Sequence, residues 1–129
     1  MMELRSNLIN MCTNLFASVG VPFESTTELQ RQVLASFAFG MTFAVGQIEH
    51  LTPPQVHALS IAMLVDAFKY SVEQAGAFSS DLIESASGRG NSTIQAIIHR
   101  GIDGHRQWSS GQTAEFSENI NAVLQAVGA

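Results

Sequence analysis

Hydrophobic residues recur along this chain at the three- and four-residue spacing of amphipathic helices, and no segment shows the alternation of a surface strand. The pattern predicts about six helices separated by short polar breaks. The predicted helices cover, approximately, residues 4–19, 27–50, 52–70, 71–86, 93–108 and 113–127. The sequence therefore predicts an all-α fold, a helical bundle in a single domain that spans residues 1–129.

Three of these helices begin at recognisable capping signals. Thr27 with Gln30, and Ser71 with Gln74, have the spacing of a capping box. The segment Thr52-Pro53-Pro54-Gln55 combines a cap residue with proline in the first turn. These signals predict the starts of the second, third and fourth helices.

The second and third helices are predicted to lie at the centre of the bundle, because the second is apolar all round and the third on two sides. Gly40 and Gly46 weaken the second helix in isolation, so the close approach of a neighbour is the expected compensation. Gly101 and Gly104 in the fifth helix cost about 1 kcal/mol each relative to alanine. We expect them to answer a packing or kink requirement.

Composition and charge exclude several classes of protein. Of the 129 residues, 46% are hydrophobic and 13% charged, which excludes intrinsic disorder. The formal net charge of −5 argues against a protein that binds nucleic acid or anionic membranes. The single cysteine, Cys12, excludes an intrachain disulfide and a zinc–thiolate cluster, and its apolar stripe predicts a buried, inert thiol.

We expect a cytoplasmic protein with no membrane partner. Polar residues interrupt the apolar stretch near the N-terminus, which makes a poor secretory signal. The least polar stretch, residues 33–48, is shorter than the ~20 residues of a spanning helix and is predicted to be a buried core helix. No phosphate-binding, dinucleotide-binding, nucleophile-elbow or zinc-protease motif is present, so we predict neither metal nor cofactor.

The segment HRGIDGHRQW, residues 99–108, contains two of the four histidines, two of the six cationic residues and the only tryptophan. Helical spacing brings Arg100 and Arg106 within reach of Asp103. One interpretation is a recognition patch in which these residues and Trp108 anchor a partner. Another is a cluster of Arg–Asp–Arg ion pairs that ties this helix to its neighbours.

The same segment allows a catalytic interpretation. His99 or His105 would act as a base oriented by Asp103, in a small helical enzyme or ligand-binding protein whose pocket this region lines. The competing interpretation of His105, on an apolar face, is a hydrogen-bonded core residue.

A second candidate surface is acidic. Glu73, Asp81 and Glu84 are predicted to project together from the fourth helix, and Glu115 and Glu118 add charge on the sixth. Residues 107–129 contain no lysine or arginine. Such a surface can steer association with a basic partner, although an ordinary solvated face has the same composition.

Three segments carry a resemblance to known proteins: FAFGM at residues 37–41, VHALSIAMLVDAFKYS at residues 56–71 and AIIHRGIDGHRQW at residues 96–108. Together they resemble small all-helical immunity proteins of bacterial polymorphic-toxin and type VI-secreted effector systems. The resemblance covers the chain from about the second helix to the sixth. It implies a stoichiometric inhibitor that performs no chemistry and binds a cognate toxin, either occluding its active site or holding it away from substrate.

If that resemblance holds, the acidic charge suits a toxin with a basic substrate cleft, for example a nuclease. The partner would be the toxin rather than a nucleic acid. Because the second helix is apolar all round, association into a homodimer also stays open.

Overall fold

The computed structural model describes residues 2–129, and all regular elements within that range are helical. A single turn of 3-10 helix, Phe23–Ser25, precedes the second α-helix and was not anticipated from the sequence. The six α-helices are α1 Met2–Val19, α2 Glu28–Ile48, α3 Pro53–Phe68, α4 Val72–Ala86, α5 Ser92–Ser109 and α6 Thr113–Ala126. The all-α prediction is confirmed, and each predicted helix end lies within about two residues of the observed one.

The capping boxes form as the sequence predicts. The Thr27 hydroxyl accepts from the backbone N–H of Gln30 at 3.1 Å, and the Gln30 side chain accepts from the Thr27 N–H at 2.9 Å. The equivalent reciprocal bonds start α3 at Thr52 and α4 at Ser71. Because each box satisfies two backbone N–H groups that would otherwise lack partners, the helix starts are fixed by local sequence.

Helix α2 is the centre of the bundle, as predicted, and contacts α1, α3, α5 and α6. Its residues 33–42 are all buried. Helix α3 lies beside it and contacts α1, α2 and α4. All six helices contribute side chains to one hydrophobic core. The most extensive contact of α2 is with α5, which the hydrophobic pattern alone did not single out.

Two glycines allow α2 and α5 to cross with their backbones in contact. A Cβ atom on Gly40 would overlap the carbonyl oxygen of Ile98, and one on Gly101 would overlap the carbonyl oxygen of Phe37. Both residues are buried. The predicted packing role of Gly40 and Gly101 is confirmed, because any side chain at either position would force the helices apart.

A third glycine extends this crossing by one turn. A Cβ on Gly104 would lie 2.5 Å from Cζ of the Phe37 ring, so the missing side chain leaves space for that ring. The Phe37 ring reaches Phe116 of α6, with the ring centroids 6.2 Å apart and the planes at 68°. Edge-on contact of this kind is favourable between aromatic rings. Gly104 thereby links the α2–α5 crossing to the position of α6.

None of the helices within residues 2–129 has both the length and the apolar character that crossing a membrane requires.

The crossing can be tested by Gly101→Ala, with Gly76→Ala as the matched control. An added Cβ at Gly76 in α4 meets no atom within 4 Å. Gly101→Ala is expected to lower the free energy of unfolding by at least about 2 kcal/mol, because the helices must separate. Gly76→Ala is expected to raise it by about 0.5–1 kcal/mol, because alanine is the better helix former.

Urea denaturation of both variants and the wild type provides the measurement. A Gly101→Ala protein as stable as Gly76→Ala would show that α2 and α5 do not touch at this point.

Candidate partner-binding surfaces

The three acidic side chains of α4 do not all border the same groove. Glu73, Asp81 and Glu84 are all exposed, but only Asp81 and Glu84 line a common groove. Glu73 does not line that groove. It lies eight residues before Asp81, which is about 12 Å along the helix axis, so sharing a helix face does not bring it to the same groove.

Glu84 has a cationic partner that the sequence analysis missed. In the loop after α4, the Arg89 guanidinium lies with Nε 3.2 Å from Oε2 of Glu84 and Nη2 3.5 Å from Oε1. Both side chains are exposed, so this ion pair contributes little to stability. It does reduce the negative charge at Glu84, which leaves Asp81 as the uncompensated carboxylate at this end of α4.

A large groove lies beside Asp81. It has a volume of about 930 Å³ and lies between the start of α2, the α3–α4 junction, α4 and the start of α5. We call it the aromatic groove. Four aromatic residues and five charged residues line it: Phe23, Phe68, Tyr70, Phe78, Glu28, Arg31, Lys69, Asp81 and Glu84. Aromatic and arginine side chains are enriched in protein–protein interfaces, so this composition suits a docking surface.

On α5, the predicted cluster of Arg100, Asp103 and Arg106 does not form. Arg100 donates instead to α6, with its Nε 2.7 Å from Oδ1 of Asn119. Asn119 is buried and donates in return to the carbonyl of Arg100 and to Oε1 of Gln107, each at 3.0 Å. A buried amide needs its hydrogen bonds satisfied, which explains why Arg100 turns to Asn119 rather than to an exposed carboxylate.

Arg100 therefore holds α5 against α6. Asp103 and Arg106 are exposed, and neither forms an ion pair within residues 2–129. Trp108 is half-buried and packs against the hydrophobic core. Of the predicted recognition patch, Arg100, Asp103 and Arg106 are exposed and Trp108 is half-buried, but Arg100 is held by its hydrogen bond to Asn119.

The structure does not assemble His99, Asp103 and His105 into a site. His99 and Asp103 are exposed, whereas His105 is half-buried and burial lowers its pKa. The His105 ring lies beside Trp108, with 6.5 Å between ring centroids. Asp103 lines a shallow depression with α6 residues that includes neither histidine. The orienting contact that the catalytic interpretation requires is absent from this arrangement.

Two other side chains of reactive types, Cys12 and His57, are buried or hydrogen-bonded within the bundle. Cys12 is buried, and burial raises the pKa of its thiol to about 12, so the reactive thiolate is scarce near neutral pH. The Nδ1 atom of His57 lies 2.9 Å from the hydroxyl of Ser79 and joins α3 to α4. Within the described residues, no group of three or more His, Cys, Asp or Glu side chains has the geometry to hold a metal ion.

A protein-family model matches nearly the whole chain. Residues 5–128 match the family model described as Immunity protein 48, Imm48. The chain belongs to the Imm48 family. The resemblance to immunity proteins is thereby confirmed, and the match extends over α1 as well as the segments that suggested it. No curated protein and no solved structure matches the chain significantly.

For this Imm48 protein, Asn119→Ala tests whether Arg100 is structural. Loss of the amide removes its hydrogen bonds to the Arg100 Nε, the Arg100 carbonyl and the Gln107 side chain, and the free energy of unfolding is expected to fall by about 1–3 kcal/mol. Gln125→Ala, at an exposed position of the same helix, is the control and is expected to change it by less than about 0.5 kcal/mol. Equal stabilities by urea denaturation would show that the network contributes nothing and that Arg100 is free to contact a partner.

Proposed function

We propose that this Imm48 protein acts in the cytoplasm, where it binds a cognate toxin and blocks that toxin's substrate-binding surface. The observation that carries the proposal is family membership over residues 5–128. The local geometry supports it: Asp103 orients neither His99 nor His105, whereas the chain offers exposed carboxylates and an aromatic groove.

Charge supports a toxin with a basic cleft, such as a nuclease. The net charge of −5 favours encounter with a positive surface, and this attraction raises the association rate. A cleft that binds a polyanionic substrate must itself be positive. A negative protein that covers such a cleft competes directly with the substrate for it, which is the simplest way for a non-catalytic protein to neutralise an enzyme.

The α4 side of the molecule is the surface that we propose faces the toxin. Glu73 and Asp81 are exposed and have no ion-pair partner within residues 2–129. On α5, by contrast, the exposed Asp103 and Arg106 carry opposite charges and largely cancel one another. The α5–α6 side also carries Glu115 and Glu118, so the choice of α4 rests on Asp81 and Glu84, which line the aromatic groove.

The proposal predicts that this protein protects cells against the toxin domain encoded beside its gene. Cells that express the domain alone are expected to stop growing, and cells that also express this chain are expected to grow. The triple variant Glu73→Lys, Asp81→Lys, Glu84→Lys is expected to protect only at high expression, because reversed charge slows association with a basic surface.

The control is Glu115→Lys with Glu118→Lys, which alters the charge of α6 instead and is expected to protect like the wild type. Circular dichroism at matched protein levels verifies that each variant is folded. Growth arrest that the wild-type chain does not relieve would contradict the proposed function. Full protection by the triple variant at low expression would contradict the role of α4.

A further inference from the structure

We propose that the aromatic groove receives an arginine or lysine side chain from a protruding segment of the toxin. This inference rests on the proposed function and adds to it the place and chemistry of an anchoring contact. The inference depends on the contacts of the charged side chains in the groove. The two cations hydrogen-bond to carbonyl groups of the chain, whereas two of the three carboxylates form no ion pair.

The two cations that line the groove are engaged by the chain's own carbonyl groups. The Arg31 Nη2 atom lies 3.3 Å from the carbonyl oxygen of Thr26, and its guanidinium lies over the Phe23 ring at 5.6 Å. The Lys69 ammonium donates to the carbonyl oxygen of Asp66 at 2.9 Å. Neither cation forms an ion pair with a carboxylate of the groove.

Two carboxylates are left without a cation. Glu28, in the first turn of α2, and Asp81 of α4 are exposed and form no ion pair in the described part of the chain. The third, Glu84, already carries the Arg89 guanidinium on both of its oxygens. The chain thus shows at Glu84 the kind of contact that Glu28 and Asp81 can make with an arginine from outside.

Aromatic rings next to these carboxylates suit the rest of a cationic side chain. Tyr70 and Phe78 contact edge to face, with centroids 5.6 Å apart and planes at 85°. Both are half-buried and line the groove. The methylene stem of arginine or lysine packs on such rings, and its charge is attracted to their faces. A volume of about 930 Å³ accommodates one long side chain together with the backbone that carries it.

The occupant that this arrangement fits is a protein segment. The groove lacks the metal-binding group that would make it an ion site, since no such group occurs within residues 2–129. Three carboxylates line it against two cations, and this excess of negative charge disfavours a phosphate or a nucleic acid. A cationic residue is also what a basic toxin cleft exposes in abundance, so a single contact here would combine steering with anchoring.

The test measures binding of the catalytically inactivated toxin domain encoded beside the gene to the full-length chain by biolayer interferometry. Two groove variants are used: Glu28→Gln with Asp81→Asn, which removes the unpaired charges, and Ala77→Arg. Ala77 is exposed, lines the groove and lies one helical turn before Asp81, so the new guanidinium reaches that carboxylate and takes the place of the toxin's. The matched controls are Glu115→Gln with Glu118→Gln, and Ala114→Arg, all at exposed positions of α6.

Both groove variants are expected to raise Kd at least about tenfold, while both controls stay within about threefold of the wild type. The double charge variant is also expected to show a weaker dependence of Kd on salt, because fewer ion pairs form on binding. Hydrogen–deuterium exchange of the complex is expected to protect amides near Tyr70, Ala77 and Gly90. Unfolding curves of the free variants confirm that loss of binding is not loss of fold.

Failure of this inference is separable from failure of the proposed function. If the wild-type chain binds and neutralises the toxin and the groove variants bind equally well, the proposed groove contact is wrong, while the proposed function still holds. Protection confined to the α5–α6 surface would overturn the groove as well. Wild-type chain that does not bind the toxin domain would overturn the proposed function itself.

Discussion

Direct backbone contact between α2 and α5 at Gly40 and Gly101 is the constraint on which the rest of the molecule depends. Because no side chain separates the helices there, their backbones are in direct contact, and this contact fixes where they cross. Gly104 then seats the Phe37 ring, which reaches Phe116, and Arg100 on the outer side of α5 binds Asn119. The position of α6 follows from that of α5. The start of α5 in turn forms one end of the aromatic groove.

The polar groups of this fold are used mainly to hold helices in place. Arg100 hydrogen-bonds to Asn119 of α6, and His57 joins α3 to α4 through Ser79. The Cys12 thiol is buried, and burial raises its pKa to about 12. What remains outside is a surface rich in carboxylates. That division is appropriate to an immunity protein, whose task we take to be recognition: the interior gives rigidity, and the exterior supplies charge and a groove without having to perform chemistry.

Much of the fold could be predicted from the sequence because it is determined locally. Capping boxes depend on residues three apart, and an interior glycine such as Gly40 indicates a close neighbour before that neighbour is known. The sites were harder to predict, because they depend on which helices meet. Helical spacing predicted that Arg100 would pair with Asp103 on the same helix. Arg100 instead donates to the buried amide of Asn119, which lies on α6 and could not be placed beside it from the sequence. The groove likewise joins residues far apart in the chain, such as Glu28 and Asp81, and no sequence spacing indicates it.

We propose that this protein works by occupying a toxin's surface and not by altering the toxin chemically. Titrating it into a fixed amount of active toxin, at a toxin concentration well above Kd, tests that claim most directly. Toxin activity is expected to fall linearly and to vanish at one equivalent, and it is expected to return when the two proteins are separated under denaturing conditions and the toxin is refolded. Progressive inactivation of the toxin by a small fraction of an equivalent would contradict it.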